Sequence, residues 1–316
     1  MFYDAYMLKH KFKAHENIPY DVQKLPRFLV AQKQKTIKNT IKISGIGLHT
    51  GNKVSMSINP APINTGYIFR VLKNNGSTVS IKADYKNVKS TQLCTLLSDN
   101  IGNSISTVEH ILSACYGLDI DNVYIDLNSN EVPVCDGSSI MFVKKLQELG
   151  YEEQSEFKDF FRIKKVIQVK DGDKVARVSP FDQTLITCDI DYDHKLIGKQ
   201  SISLVLNPEI YKTQISSART FGFLKDVKKL REMKLALGGS LKNAIVLDDN
   251  KVLNKEGLRF TDEFVRHKVL DFLGDISLSG KRILGSFYTS QSGHSLNIKL
   301  IEKIFENSDN WELVCS

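Results

Sequence analysis

One polar stripe in the sequence has the spacing that a metal-binding helix would need. Residues 264–275 read F-V-R-H-K-V-L-D-F-L-G-D. If they form a helix, His267, Asp271 and Asp275 stand at i, i+4 and i+8, within a stripe about 80° wide. An imidazole and a carboxylate one turn apart can reach the same cation, because their Cβ atoms lie within about 6 Å. The stripe therefore predicts either a metal site or a solvated face of surface ion pairs.

A second pair of candidate groups lies at the beginning of an earlier helix, in the stretch S-T-V-E-H-I-L-S-A at 106–114. Ser106 and Glu109 have the S-x-x-E spacing of a capping box, which would give Glu109 a purely structural role. Adjacent helical residues point about 100° apart. His110 could therefore bind a metal while Glu109 faces the metal's water, and both interpretations stay open.

The set His110, His267 and Asp271 is typical of catalytic zinc, which takes three protein ligands and leaves a position for water. Zinc lowers the pKa of that water to roughly 7. Glu109 would then be the general base that takes the proton. The two pairs are far apart in sequence, so the site requires two different helices to meet.

Other polar residues could complete such a reaction. His294 could be the general acid, and Asp275 could orient its ring and hold it protonated. A threonine hydroxyl such as that of Thr220 could donate to an oxyanion.

The elements that would position these groups follow from periodicity. From residue 36 the sequence alternates as strand, glycine-rich turn and strand, and the turn G-I-G-L-H-T-G presents His49, a loop histidine that need have no role. The central helix has an apolar face, a candidate N-cap in Asp262 and a stop at Gly280. Helices are also expected from an opening stretch at 136–139 through Leu149, over 225–233 and over 295–305.

The polar, acidic stretch 151–160 predicts a domain boundary. We expect an N-terminal extension over 1–34, a first domain over 35–155 and a second over 156–316. G-N-K-V at 51–54 resembles G-D-K-V at 172–175, a weak sign of duplication.

Composition excludes several classes of protein. The chain has 316 residues, 41% hydrophobic and 25% charged, without a run of apolar residues long enough to span a membrane. Five scattered cysteines without a C-x-x-C motif argue against a disulfide framework and a cysteine zinc site, and favour a reducing cytoplasm. The net charge of +7 indicates a lysine-rich surface or an anionic substrate.

From residue 36 onward, the chain resembles the UDP-3-O-acyl-N-acetylglucosamine deacetylases, the zinc amidohydrolases of lipid A synthesis. The motifs that carry the resemblance occur in the family's order and spacing. They are G-I-G-L-H-T-G at 45–51, S-T-V-E-H at 106–110, D-N-V-Y-I-D-L at 121–127, V-P-V-C-D-G-S at 132–138, A-R-T-F-G-F at 218–223, L-G-G-S at 237–240, E-G-L-R-F-T-D-E-F-V-R-H-K-V-L-D at 256–271 and S-G-H at 292–294.

The resemblance implies a role for each matching residue. The family's zinc ligands fall on His110, His267 and Asp271, its base on Glu109 and its acid histidine on His294, with Asp275 as partner. Thr220 matches the threonine at the oxyanion, Lys268 an active-site lysine, Phe221 a substrate-contacting aromatic and His49 a turn histidine that is not a ligand. Gly239 and Ser240 of the L-G-G-S motif would contact the substrate.

The resemblance also implies an α+β fold of two similar domains, each a sheet layered with two helices, with the active site in the cleft between them. The segment near 222–252 would be an insert that forms a passage for the acyl chain, lined by Leu224, Val227 and Ala236. Lys234 and Lys195 stand where relatives commonly have glycine and proline, and Gln291 where lysine is frequent. None of these is a proposed ligand.

The function expected is hydrolysis of the N-acetyl group of UDP-3-O-acyl-N-acetylglucosamine, giving UDP-3-O-acyl-glucosamine and acetate, the committed step of lipid A biosynthesis. We expect one Zn²⁺ per chain, although these ligands also accept Fe²⁺, a small acylated UDP-sugar substrate, no nucleic acid, no stable membrane insertion beyond peripheral contact, and a cytoplasmic monomer. Three alternatives stay open: a hydrolase of another amide, a binding protein that has lost catalysis, and a nucleic-acid binder driven by charge.

Overall fold

The computed structural model describes residues 32–73 and 76–315. The extension predicted over 1–34 lies outside the described residues except for its last three, and β1 already begins at Lys33. Strands form where apolar side chains alternate with polar ones. In β4, for example, Tyr67, Phe69 and Val71 are buried while the residues between them are partly exposed.

The N-terminal half is built around a five-stranded sheet in the order β2-β3-β9-β4-β5, in which β4 runs parallel to β9 and the other pairs are antiparallel. A small sheet of β6, β7 and β8 precedes the first helix. The strands of this half are β1 (Lys33–Ile37), β2 (Ile41–Ile46), β3 (Lys53–Pro60), β4 (Tyr67–Leu72), β5 (Thr78–Lys82), β6 (Val88–Ser90), β7 (Leu96–Ser98), β8 (Ser104–Ile105) and β9 (Val123–Leu127).

The C-terminal half is built around β12-β13-β18-β14-β15, in which β14 runs parallel to β18. At the beginning of β18 the neighbour on one side is β11, which also pairs with β19. The strands are β10 (Tyr151–Phe157), β11 (Asp159–Ile163), β12 (Ile167–Asp171), β13 (Lys174–Ser179), β14 (Thr184–Tyr192), β15 (Gly198–Val205), β16 (Phe221–Phe223), β17 (Ile245–Leu247), β18 (Arg282–Ser290) and β19 (Trp311–Cys315).

The two five-stranded sheets share one topology. Numbered within each half, both have the order 1-2-5-3-4, with the last strand in the centre and parallel to the third. The two similar stretches G-N-K-V and G-D-K-V lead into the equivalent second strands, β3 and β13. The polar stretch 151–160 forms β10, which pairs with β1, and the beginning of β11.

The longer helices are α1 (Glu109–Gly117), α2 (Ile140–Leu149), α3 (Leu224–Glu232), α4 (Glu263–Ile276) and α5 (His294–Phe305). A short turn at Pro208–Ile210 continues as the π-helix Tyr211–Ile215. Helix α4 packs against α1, α5, β14 and β15, and apolar side chains of both halves share one core cluster. The mixed α+β class is confirmed. Among the described residues, every helix is too short or too polar to cross a membrane.

Candidate active site

Helix α4 buries its polar stripe as well as its apolar face. His267, Asp271 and Asp275 are only 2%, 5% and 0% exposed. The alternative of a solvated face is therefore wrong for this stretch, because α1 and α5 cover the side that would otherwise meet water. Asp262 precedes the helix as predicted, but its side chain bonds to Arg266 instead of capping the backbone. Gly280 ends the helical region, in the left-handed conformation.

The structure brings His110 of α1 to His267 and Asp271 of α4. One ligand atom from each of the three lies within 4.8 Å of the others. Asp271 Oδ1 is 3.3 Å from His267 Nε2 and 3.7 Å from His110 Nε2. The three buried side chains thus form a group that could hold a metal ion.

The surroundings of this group fit a metal. His267 Nδ1 lies 3.1 Å from the carbonyl oxygen of Ala218, which leaves Nε2 facing Asp271, the orientation that a ligating histidine needs. Burial lowers the pKa of His267 to about 3, so its ring is neutral and its lone pair available. Burial alone would raise the pKa of Asp271, but the ammonium group of Lys268 beside it holds that pKa well below its usual value. His110 Nδ1 is buried without a hydrogen-bond partner among the described residues.

The carbonyl that orients His267 is itself fixed by a buried ion pair. Arg219, next to Ala218, is 3% exposed, and both its backbone N–H and its Nε donate to Glu263 Oε1, at 3.0 and 2.9 Å. Glu263 is the first residue of α4 and is fully buried. No local pattern in the sequence predicts this pair, although Arg219 and Glu263 both lie within motifs that carry the family resemblance.

Glu109 is not a capping residue. Helix α1 begins at Glu109 itself, no side chain caps it, and the preceding Thr107 has a φ of 58°. Because that left-handed residue turns the chain, Ser106 Oγ bonds to the carbonyl of Asn130 instead. The Glu109 carboxylate accepts a hydrogen bond from the Thr95 N–H (3.1 Å) and lies 3.9 Å from His294 Nε2. Burial raises the pKa of Glu109.

His294 is the first residue of α5 and pairs with Asp275 through Nδ1, at 2.8 Å from Oδ2. Asn297 Nδ2 donates to the same oxygen at 2.8 Å. Burial alone would lower the pKa of His294, but the Asp275 carboxylate outweighs it and the net effect raises the pKa to about 10. Asp275 thus keeps the imidazole protonated, with Nε2 toward Glu109.

Lys268 and Phe221 border the same group. Lys268 Nζ donates to Asp271 Oδ2 at 2.9 Å and lies 5.7 Å from the centre of the Phe221 ring, which is 6.4 Å from that of His267. Thr220 precedes Phe221, and its backbone is fixed by hydrogen bonds with Gly137 and Ile245. Thr220 and Phe221 therefore follow Ala218 closely in the chain: Thr220 lies just before β16, and Phe221 is the first residue of that strand.

The turn that contains His49 is fixed by hydrogen bonds to the carboxylate of the fully buried Glu131. This carboxylate accepts hydrogen bonds from the His49 and Thr50 N–H groups at 2.7 and 2.9 Å, and from the Thr50 hydroxyl at 2.6 Å. Neither ring nitrogen of His49 has a hydrogen-bond partner among the described residues, although both are buried. Burial lowers the pKa of this imidazole. The ring thus has hydrogen-bonding capacity that the described residues do not use.

The L-G-G-S turn packs on the His49 turn. The N–H groups of Leu237 and Gly238 donate to the carbonyls of His49 and Leu48, at 3.1 and 3.0 Å. Gly239 donates to the Ala236 carbonyl, and the Ser240 N–H donates to Asn243. The structure therefore packs the turn that contains Gly239 and Ser240 against the turn that contains His49, although the two turns are far apart in sequence.

Helix α3 carries Leu224 and Val227 between the small paired strands β16 and β17. The two residues line an open depression together with Lys228, Arg231 and Glu232. Leu224 is 49% exposed, and no residue of α3 is buried. Lys234, just beyond the helix, has a φ of 58°, a conformation that favours glycine.

A separate cavity of about 240 Å³ contains none of these residues. Lys158, Asp121 and Arg282 are among its lining residues. Lys158 pairs with Asp119 and Asp121 at 2.8 and 2.9 Å, and Arg282 pairs with Asp119 at 2.7 Å. Because Lys158 and Arg282 are already paired with carboxylates of the protein, we assign no chemistry to this cavity.

Thr95 was missed by the sequence analysis. Its backbone meets Glu109, and its hydroxyl meets Asp275 and His294, residues 180 and 199 positions away. It lies between two short strands, in a segment without helical or strand periodicity. No signal in the sequence pointed to it.

Comparison with known proteins agrees with this arrangement. Residues 34–306 match the family model described as LpxC, UDP-3-O-acyl N-acetylglycosamine deacetylase. A UDP-3-O-acyl-N-acetylglucosamine deacetylase of Haemophilus influenzae (strain 86-028NP) is 46% identical over 284 residues, which cover 89% of this chain and 93% of the relative. The enzyme of the same name from Xanthomonas oryzae pv. oryzae (strain PXO99A) is 48% identical over 283 residues, with the same coverage. The resemblance seen in the motifs is confirmed: this chain belongs to the LpxC family of UDP-3-O-acyl N-acetylglycosamine deacetylases.

Proposed function

We propose that the protein hydrolyses the N-acetyl group of UDP-3-O-acyl-N-acetylglucosamine, giving UDP-3-O-acyl-glucosamine and acetate, a committed step of lipid A biosynthesis. The observation that carries the proposal is the meeting of α1, α4 and α5. It brings a three-residue group able to hold a metal together with a buried carboxyl group and a protonated histidine. A metal group, a base and an acid are the components that amide hydrolysis needs.

In this proposal His110, His267 and Asp271 hold one Zn²⁺ per chain, and the same ligands would accept Fe²⁺. When bound, the ion would act as a Lewis acid toward the amide carbonyl and the attacking water. The Ala218 carbonyl keeps the His267 ring in the ligating tautomer.

Glu109 and His294 carry out the proton transfers of the reaction. Glu109 accepts one proton from water, the remaining hydroxyl adds to the acetyl carbon, and the carbon–nitrogen bond breaks. His294 gives a proton from Nε2 to the departing amine nitrogen, and Asp275 stabilises the protonated ring beforehand. The proton on Glu109 then returns to His294 through solvent, which restores both groups.

Six further residues complete the proposed site. The Thr220 hydroxyl donates to the developing oxyanion. Lys268 adds positive charge beside Asp271, and Phe221 packs against the sugar. The unpartnered ring of His49, with Gly239 and Ser240, contacts the substrate from the opposite turn.

The acyl chain runs along the insert near 222–252, past Leu224, Val227 and Ala236. The exposed apolar side chains of α3 support this path. The shared strand order of the two sheets supports a division into two similar domains over 35–155 and 156–316, with the substrate in the cleft between them. The described cysteines form no disulfide, which supports a reducing compartment such as the cytoplasm. We expect a monomer.

The experiment measures bound metal and acetate release from UDP-3-O-acyl-N-acetylglucosamine on one preparation, before and after chelation. We expect one metal per chain, loss of turnover with the metal, and recovery on adding Zn²⁺. His267→Ala should lose the metal and at least about 100-fold in kcat/KM. His194→Ala removes an imidazole outside the group and should keep the metal.

Stoichiometric metal without acetate release would keep the metal site and overturn the substrate. Absence of metal in the active wild-type protein would overturn the metal site itself. Substrates with short and long acyl chains then test the passage past Lys234.

A further inference from the structure

Thr95 is a fully buried residue that the chemistry proposed above does not use. It lies between β6 and β7 with 0% exposure. Both its backbone N–H and its backbone carbonyl form hydrogen bonds with residues at the beginning of α1. The N–H donates to Glu109 Oε2 at 3.1 Å, and the carbonyl accepts a bond from Val108 N–H at 3.5 Å. Thr95 therefore sets the position of one oxygen of the proposed base.

The side chain of the same residue reaches the proposed acid pair. Its hydroxyl donates to Asp275 Oδ1 at 2.7 Å and lies 3.2 Å from His294 Nδ1. A hydroxyl has one proton and two lone pairs, so it can donate to the carboxylate and accept from Nδ1–H together. Asn297 and His294 occupy the other carboxylate oxygen. Without Thr95, Asp275 Oδ1 would lose the one side-chain donor that it has among the described residues.

We propose that Thr95 is a positioning residue that fixes the proposed base Glu109 and the His294–Asp275 pair relative to one another. This inference rests on the proposed function, because it assigns Thr95 to that reaction. Glu109 lies on α1, Asp275 on α4 and His294 on α5. Without Thr95, only the packing of the three helices would align these groups. A misplacement of about 1 Å can cost about 100-fold in rate. A single buried residue that is hydrogen-bonded to all three side chains restricts their positions relative to one another.

The test compares Thr95→Val with Thr95→Ser. Valine removes the hydroxyl and keeps the N–H bond to Glu109, while serine keeps both. We expect Thr95→Val to lower kcat by about 10- to 100-fold with KM changed less than about 3-fold, since a positioning defect affects the transition state more than binding. Thr95→Ser should stay within about 3-fold of the wild type.

Thr184→Val is the matched control. Thr184 is also buried, and its hydroxyl donates to the Ile283 carbonyl at 2.8 Å, outside the site. The Thr184→Val variant should have a lower free energy of unfolding and an unchanged kcat. Side-chain nitrogen NMR of histidine-labelled protein gives a readout independent of turnover. The signals of His294, assigned by their absence in His294→Gln, should move in Thr95→Val and stay in Thr184→Val.

The outcomes separate the two proposals. An active wild type with equal kcat in Thr95→Val and Thr184→Val, and unmoved His294 signals, would overturn the role of Thr95. Equal losses in Thr95→Val and Thr95→Ser with unmoved signals would mean a packing defect and also overturn it. A wild type that binds metal but releases no acetate would overturn the proposed function, and the His294 signals alone would then decide whether Thr95 positions that ring.

Discussion

At the scale of single residues, environment distinguishes the groups of the candidate site from the many charged side chains around them. Glu109 and His267 are both buried, and burial moves each toward its neutral form, raising the pKa of the first and lowering that of the second. His294 moves the other way because Asp275 stands 2.8 Å from its ring. The two imidazoles of this site thus differ in charge. His267 is neutral, which suits it to bind a metal, and His294 is protonated, which suits it to donate a proton.

Glu109→Gln tests the base directly. The amide can still accept the Thr95 N–H bond but cannot take a proton from water, so we expect intact folding, unchanged metal content and a fall in kcat of at least about 100-fold. Glu152→Gln, an exposed change in β10, serves as control and should alter neither quantity. Loss of metal in Glu109→Gln, or retained turnover, would contradict a role for Glu109 as base; acetate release and metal analysis measure both.

At the scale of elements, the site depends on how closely α1 and α4 approach. A Cβ built on Gly274 would lie 2.2 Å from the backbone oxygen of Glu109, far inside van der Waals contact. Glycine is therefore required here for packing, even though it is a poor helix former. The crossing point lies directly beside the residues that carry the base and one metal ligand.

Gly274→Ala should force the two helices apart. Helix propensity alone would favour alanine by about 1 kcal/mol, so a stabilised variant would contradict this account. We expect instead a loss of about 1–3 kcal/mol in unfolding free energy, as for overpacked cores, together with weaker metal binding, because His110 moves away from His267 and Asp271. Urea unfolding and metal titration on the same variant measure the two effects.

Much of the element structure could be predicted from sequence, for identifiable reasons. The predicted helices correspond to α3, α4 and α5 within one or two residues, and α2 begins directly after its predicted opening stretch at 136–139. Apolar periodicity and terminal glycines indicate where these helices lie. The capping box at Ser106 was wrong because a left-handed Thr107 intervenes, a conformation that local spacing does not indicate. The contacts of Thr95 depend on three elements meeting in space, and no local pattern contains that information.

At the scale of the whole molecule, the candidate site combines both halves of the chain. Glu109 and His110 come from the half that contains the first sheet, and the other proposed ligands and the acid come from the second. The similarity between G-N-K-V at 51–54 and G-D-K-V at 172–175 suggested a duplication, and the equal strand orders of the two sheets agree with it. Contacts remote from the site also join the two halves.

A buried ion network supplies one such contact. Asp119, in the turn after α1, accepts from Lys158 and Arg282 at 2.8 and 2.7 Å, and Lys158 lies between β10 and β11 while Arg282 begins β18. Burial alone would raise the pKa of Asp119, but Arg282 and Lys158 lower it to about 2. The network therefore joins the first half of the chain to the central strand of the second sheet.

Asp119→Asn should destabilise the protein in a pH-dependent way. Asparagine tolerates the φ of 65° at this position, so the change removes charge without backbone strain. The folded pKa lies below the unfolded value of about 3.9, so the carboxylate stabilises the wild type by roughly 2–3 kcal/mol above that pH. This contribution disappears as the pH falls from about 4 toward 2, where the carboxylate takes up its proton.

The difference in unfolding free energy between wild type and Asp119→Asn should consequently be large and constant from pH 7 to 5 and become smaller toward pH 3, as measured by urea unfolding at each pH. Asp191→Asn, which breaks the exposed pair with Lys199 at 3.5 Å, should change stability by less than about 0.5 kcal/mol at every pH. A difference that stays constant down to pH 3 would mean that the charge of Asp119 does not hold the halves together. A difference that shrinks as described, with metal affinity also lowered, would connect this remote network to the alignment of α1 with α4.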